Sequence, residues 1–338
     1  MTRQRVLQTL LGLVISAGCL WLVLRDVPFA EVVPALRQAH FWWLVPALIA
    51  LAVDVIIRSV RWGVLLRPIA TVSWKRLLSP TIIGYMGNAL LPARLGEVLR
   101  ATLLGRVLQV AGPDGTRLSD STSAALGSIA LERTLDGIVT VAILAITARL
   151  VPHPDWLTAG LDAVTASCVA LLVALGVLVA SRPIVIPMLH RWIGHLPWAA
   201  RPLRWADHLL SGLEALRNPR LMIRALVLTV VIWGVSALEF YWVIRAFDLP
   251  LDIPQAAFLM VGVGLATVIP SAPAALGTFE LASMALLAML GIEKAAAFSF
   301  TIVMHLMWSF PLLIAGLVLL WWTGYSGLKP QREPDPPA

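Results

Sequence analysis

The chain has 338 residues, of which 59% are hydrophobic and only 13% charged. Soluble globular domains carry about 25% charged residues, so this composition excludes an ordinary soluble protein and makes lipid the expected solvent. The net charge of +7 does not point to nucleic acid, because the arginines cluster beside apolar runs, where a membrane protein keeps them.

A bilayer crossing needs about 20 apolar residues, and the sequence predicts six full spans. Val6–Leu24 follows Arg3 and Arg5 as a signal peptide would, but runs on past Cys19 without a cleavage site, so it is read as a retained first helix. Residues 25–40 then form an outside loop, and 1–40 make the first unit. Phe41–Ile57 returns to a basic inside loop holding Arg58, Arg61, Arg67, Lys75 and Arg76. Leu77–Leu91 is apolar but short, with basic residues at both ends, which predicts a re-entrant segment. Ser121–Leu150 crosses outward and closes a first repeat over 41–150. Leu157–Ala180 crosses inward and leads to a basic inside segment, so 151–220 is a linking unit. Ala225–Ile244 and Ala295–Trp322 are the last two spans. Between them Ile253–Leu290 is broken at Pro270 and Pro273, which predicts a second re-entrant pair and a second repeat over 221–323. The tail 324–338, with its four prolines, reads as disordered and cytoplasmic. This topology puts twenty cationic residues inside and five outside, as the positive-inside rule requires of a cell-membrane protein with both termini cytoplasmic.

Pro-Ala-x-Leu-Gly occurs at Pro92 and again at Pro273, an offset of 181, and the same offset lays Phe41 on Met222 and Arg58 on Glu239. The two motifs enter from opposite sides, so the expected fold is an all-α polytopic membrane protein with two broken segments in an inverted repeat. Chance is the plain alternative for so short a match. Paired Pro/Gly-interrupted segments in opposed halves point to a transporter's binding site.

Charges inside spans cost at least about 2.5–3.5 kcal/mol each near the centre and are usually paired or functional. The first group is Asn88, Arg94, Glu97 and Arg100, with the last three at helical spacing on one face. Arg grips phosphate through two parallel hydrogen bonds; an interfacial ion-pair ladder is the alternative. Glu132, Arg133 and Asp136 sit inside the third full span, where a structural network and a substrate role stand level. Ser271, Gly277 and Glu280 belong to the second break, where a half-helix starting near Pro273 would aim a positive N-terminus at an anion. Asp54, Arg58 and Glu239 are supporting charges, Asp54 and Arg58 forming an i,i+4 pair. His305 reads as a packing residue. Cys19 and Cys168 lie in apolar runs and predict neither disulfide nor metal site. No catalytic signature is found, and no cofactor or metal is expected.

Three motifs in order, Gly87-Asn88 to Arg100, Glu132-Arg133-x-x-Asp136, and Pro273-x-x-x-Gly277-x-x-Glu280, resemble the flippase-like integral membrane family named after the lysylphosphatidylglycerol synthase transmembrane region. The third departs from the family's glycine-rich version at Ala274 and Ala275. The resemblance implies movement of a lipid with an anionic headgroup between leaflets, such as a phospholipid, aminoacyl-phosphatidylglycerol or a polyprenyl phosphate. Two other readings stay open: a noncatalytic membrane partner of a lipid or glycan synthase, and an intramembrane lipid-phosphate enzyme with Glu132 or Glu280 as base. Nothing in the sequence sets the oligomeric state.

Overall fold

The computed structural model describes residues 3–91, 95–111, 118–151, 218–269 and 271–323, with isolated positions between 160 and 215. Every element among the described residues is helical: α1 (Arg3–Leu24), α2 (Phe29–Gln38), a 3-10 turn (Phe41–Trp43) running into α3 (Leu44–Leu66), α4 (Trp74–Leu90), α5 (Leu95–Ala111), α6 (Leu118–Leu150), α7 (Pro219–Ala246), α8 (Ile253–Ala266), a 3-10 turn (Pro273–Ala275), α9 (Thr278–Met289) and α10 (Lys294–Thr323). The starts follow local chemistry. Asn218 caps α7 ahead of Pro219, and Asp252 with Gln255 closes a reciprocal cap on α8.

Three described helices, Phe41–Leu66, Pro219–Ala246 and Lys294–Trp322, are long and apolar enough to cross a membrane. Gly12–Leu24 and Phe29–Gln38, bent by 84°, add a fourth if they are one broken span. α6 is 33 residues long but carries Glu132, Arg133 and Asp136. The expected span at Leu157–Ala180, Cys168 within it, and the tail from Gly324 lie largely or wholly outside the described residues. Broad apolar surface faces outward, with Trp321 and Trp322 82% and 81% exposed, as lipid-facing helices require.

Two expectations need correction. The first loop is not a plain loop: α2 occupies it and packs Val32 with Val23, Val27 and Phe298. The second span does not end before its basic residues. α3 runs on to Leu66, so Arg58 and Arg61 are inside the helix, Arg61 with no exposed surface. Arg100 is also buried, at 3% exposure. Charge counting assumed that arginines beside an apolar run lie in water, whereas these three face protein.

α4 and α5 form a tight antiparallel hairpin. Gly84 and Gly87 of α4 meet Gly96 and Arg100 of α5, and a Cβ on Gly96 would strike the Gly84 carbonyl and Asn88. Only glycine admits backbones this close. α8 and α9 form the matching, shorter hairpin. α3 and α7 run antiparallel through the centre, crossing at Asp54–Ser236 and Arg61–Thr229. The largest apolar core joins α7 to α10 with the end of α6, around Phe258, Phe279 and Phe300.

Candidate functional site

The charges expected in pairs gather into one network where α3, α5, α6 and α7 meet. Asp54, Arg58 and Arg61 recur at helical spacing, which turns them to one side of α3. Arg100 reaches from α5 and forks onto both carboxylate oxygens of Glu132 at 3.0 Å each. Its guanidinium lies 3.7 Å over the Trp62 ring, and Trp62 is held by a hydrogen bond from its Nε1 to Ser128. Arg61 donates to Asp136 at 2.5 and 3.2 Å and to Thr229 at 2.9 Å, and its Nη2 stands 3.1 Å from Glu132. Arg133 pairs with Glu97 at 2.9 Å and with Asp136 at 3.3 Å. Arg58 donates to Asp54 at 2.6 Å, and Ser236 donates to the other Asp54 oxygen at 3.3 Å.

The network is graded from a dry centre to an open edge. Arg61 and Glu132 are 0% exposed at the side chain, Arg58 12%, Glu97 24% and Arg133 34%. Buried forks of this kind must satisfy one another, because an isolated charge in lipid costs several kcal/mol. Arg100 thus spends both of its Nη groups on Glu132, while its Nε has no partner. Arg133 is the accessible cation. Arg94 and Pro92 lie outside the described residues. Several buried atoms in and around the network have no partner: Arg61 Nε and Arg100 Nε at its centre, Tyr85 Oη and Asn88 Oδ1 on α4, and Glu239 Oε1 on α7. Buried polar atoms are almost always bonded to protein or ordered water.

The second break is a separate cluster. The α-helical part of the second half-helix does not start at Pro273 itself. That residue opens a single 3-10 turn, and α9 begins at Thr278 after Gly277, whose φ is 88°. The Gly277 amide donates to Glu280 at 2.6 Å. The expected positive helix end is thus already met by a carboxylate of its own first turn. Ser271 accepts from Thr278 at 3.2 Å. Ala274 and Ala275 both sit at positive φ, 58° and 59°, where glycine is the ordinary residue. His305, read from sequence as packing, closes on this tip: its ring contacts Glu280 at 2.5 Å and the Ala274 carbonyl at 3.0 Å, and stacks on Phe279. Ser16 of α1 brackets the same tip, accepting from Ala272 at 2.7 Å and donating to Leu276 at 2.6 Å. The small residues Gly12 and Ser16, one turn apart on an apolar helix, were the available signal for this contact. The 3-10 turn lies against α4, so the second tip and the first hairpin are neighbours.

Apolar spans, a paired charge network inside the helical core and two broken hairpins define a polytopic helical membrane protein with a polar interior. The model of the lysylphosphatidylglycerol synthase transmembrane region matches residues 9–316, and the chain belongs to that family. It is similar to the UPF0104 membrane protein MJ1078 of Methanocaldococcus jannaschii, 23% identical over 253 residues, covering 73% of this chain and 98% of that protein. It is also similar to the glycosyltransferase AglD of Haloferax volcanii, 26% identical over 323 residues, covering 87% of this chain but only 51% of that protein.

Proposed function

We propose that this protein moves a lipid with an anionic headgroup between the leaflets of the cell membrane, acting as a transporter and not as an enzyme. In this reading six full spans and two re-entrant hairpins form an inverted repeat, with both termini cytoplasmic. The observation that carries it is reciprocal packing. Adding 181 to the residue numbers lays α3, α4, α5 and α6 in order over α7, α8, α9 and α10. The hairpin arm α4 packs on α10, and its counterpart α8 packs on α6. The first arm of each broken hairpin thus lies on the long helix of the other half, as a two-fold relation between the halves would require. Rocking one half against the other would open the shared centre to either side.

The headgroup would meet Arg133, the exposed member of the network, with Tyr85 and Asn88 as unpaired hydrogen-bonding groups nearby. Acyl tails stay in lipid while the phosphate crosses, so the headgroup charge is the barrier to lower. The test is the full-length protein in phosphatidylcholine vesicles with fluorescent phosphatidylglycerol, scored by quencher access to the outer leaflet. Wild type should expose label from both leaflets. Arg133→Gln should slow this at least about tenfold, the value of a lost bidentate contact at about 1.5–3 kcal/mol. Equal rates for the variant and wild type would overturn the role of Arg133, and no movement by wild type would overturn the lipid reading itself. A second reading, a noncatalytic membrane partner of a lipid or glycan synthase, is favoured by the relative named a glycosyltransferase, which is about twice the length this chain matches. It predicts no lipid movement by the chain alone.

A further inference from the structure

The hydrogen bonds of His305 fix a proton count. The Ala274 carbonyl can only accept, so His305 Nε2, 3.0 Å away, must carry hydrogen. The Gly277 amide already donates to one oxygen of Glu280. The other oxygen lies 2.5 Å from His305 Nδ1, and two bare lone pairs cannot stand that close. One proton must sit between them. A neutral imidazole beside a carboxylate does not supply it, because the single imidazole hydrogen is spent on Ala274. The pair therefore holds one proton more, as imidazolium with carboxylate or as imidazole with carboxylic acid, and is neutral in both forms.

We propose that Glu280 and His305 form a proton-binding site that clamps the second tip to α10, and that release of this proton frees the tip. When the proton leaves to water, Nδ1 and the Glu280 oxygen are left as facing lone pairs. The site gains a charge of −1 and the ring swings away, taking its hydrogen bond from the Ala274 carbonyl. The tip is built to move when that bond goes, since Ala274 and Ala275 are held at positive φ. Glu280 and His305 are 3% and 6% exposed, so the added charge is poorly solvated and the neutral clamp is the closed state.

The surroundings isolate the pair. Ser16 of α1, Ser271 and Thr278 of the tip and Ser309 of α10 are its polar neighbours, with Phe279 stacked on the His305 ring and Trp308 stacked in turn on Phe279. α8 carries no ionisable side chain. The ionisable groups of the other packed helices belong elsewhere: Arg3 and Arg5 begin α1 and Cys19 is near its end, Glu31 and Arg37 are on the outer part of α2, and Lys75 and Arg76 begin α4. Tyr85, Asp54, Arg58 and Glu239 belong to the central network.

This inference rests on the lipid-movement reading for its consequence, a coupling of transport to a proton gradient, but not for the proton site itself. Glu280→Gln separates the two. Its amide oxygen accepts from Gly277, its NH2 donates to a bare Nδ1, and the clamp stays shut with no proton to lose. Histidine 15N NMR of full-length protein in phosphatidylcholine–phosphatidylglycerol vesicles reads the site, with the His305 signals identified by their loss in His305→Asn. Wild type should show two hydrogen-bearing or proton-sharing ring nitrogens, passing to one bare nitrogen in a single step as the pH is raised across the range in which the protein stays folded. Glu280→Gln should show one bare nitrogen throughout. A bare, unshared Nδ1 beside an ionised Glu280 across that whole range would overturn the proton site. In the fluorescent phosphatidylglycerol assay, a gradient of one pH unit shifts a one-proton equilibrium about tenfold. Wild-type rates should follow the gradient and those of Glu280→Gln should not. Identical gradient dependence in both overturns the coupling, and no movement by wild type overturns the lipid reading, leaving the NMR result to decide the site.

Discussion

Replacing Arg61 with Met tests whether the network holds the helices together. Arg61 is fully buried and serves three helices, with hydrogen bonds to Asp136 on α6 and Thr229 on α7 from its own place on α3. Met fills most of the volume but provides no donor. Glu132 keeps the two bonds from Arg100, so the loss falls on Asp136, which retains only Arg133 at 3.3 Å. Stripping one partner from a buried ion pair costs about 3–5 kcal/mol, roughly two to four powers of ten in the folding equilibrium. Reversible unfolding in mixed micelles under increasing dodecyl sulfate, followed by helical circular dichroism, measures it. Adding Asp136→Leu removes the orphaned carboxylate, so the double variant should be less destabilised than the two single changes combined, with a coupling of about 0.5–3 kcal/mol. A loss under about 1 kcal/mol for Arg61→Met, or strict additivity in the cycle, would refute the argument that this charge is essential to the pairing.

Three further outcomes follow from the backbone. Gly96→Ala drives a methyl into the Gly84 carbonyl and Asn88 and should cost more than about 2 kcal/mol by forcing the hairpin apart. Gly137→Ala, which meets no atom within 4 Å, should be neutral or stabilise α6 by up to about 1 kcal/mol, and equal melting shifts for the two would contradict the close-packed hairpin. Ala274→Gly relieves about 1–2 kcal/mol of left-handed strain against about 0.4–1 kcal/mol of added chain entropy. The net gain should reach about 1 kcal/mol in the same unfolding assay, and a lowered stability would speak against the positive φ.

The long apolar helices, the break between α8 and α9 and the internal charges of α6 were legible because each leaves a local mark: an apolar run, a proline beside a glycine, a carboxylate in an apolar run. The partners were not. Arg61 looked like one more loop arginine, because periodicity within α3 does not reveal that Asp136 and Thr229, 75 and 168 residues away, arrive beside it. The same holds for Arg100, whose fork onto Glu132 is formed only in three dimensions. His305 carried no flanking charge to mark it, and its role depends on a tip that folds back from thirty-one residues earlier. The one clear local hint was the pair of alanines where glycines were expected, and those are the residues at positive φ.

The bracket that Ser16 places on the second tip has a consequence for how the chain is assembled. Its two hydrogen-bond partners, Ala272 and Leu276, lie 256 and 260 residues downstream. At roughly 5–20 residues per second of synthesis, the first helix waits about 13–50 s in the membrane before the segment that it holds exists. During that time the α1 surface around Gly12 and Ser16 faces lipid or the insertion machinery. The final seating of the N-terminal helix must therefore be among the last events of folding, so a pulse of newly made chains should show α1 open to thiol labelling at a Cys introduced for Gly12 until the C-terminal half is complete.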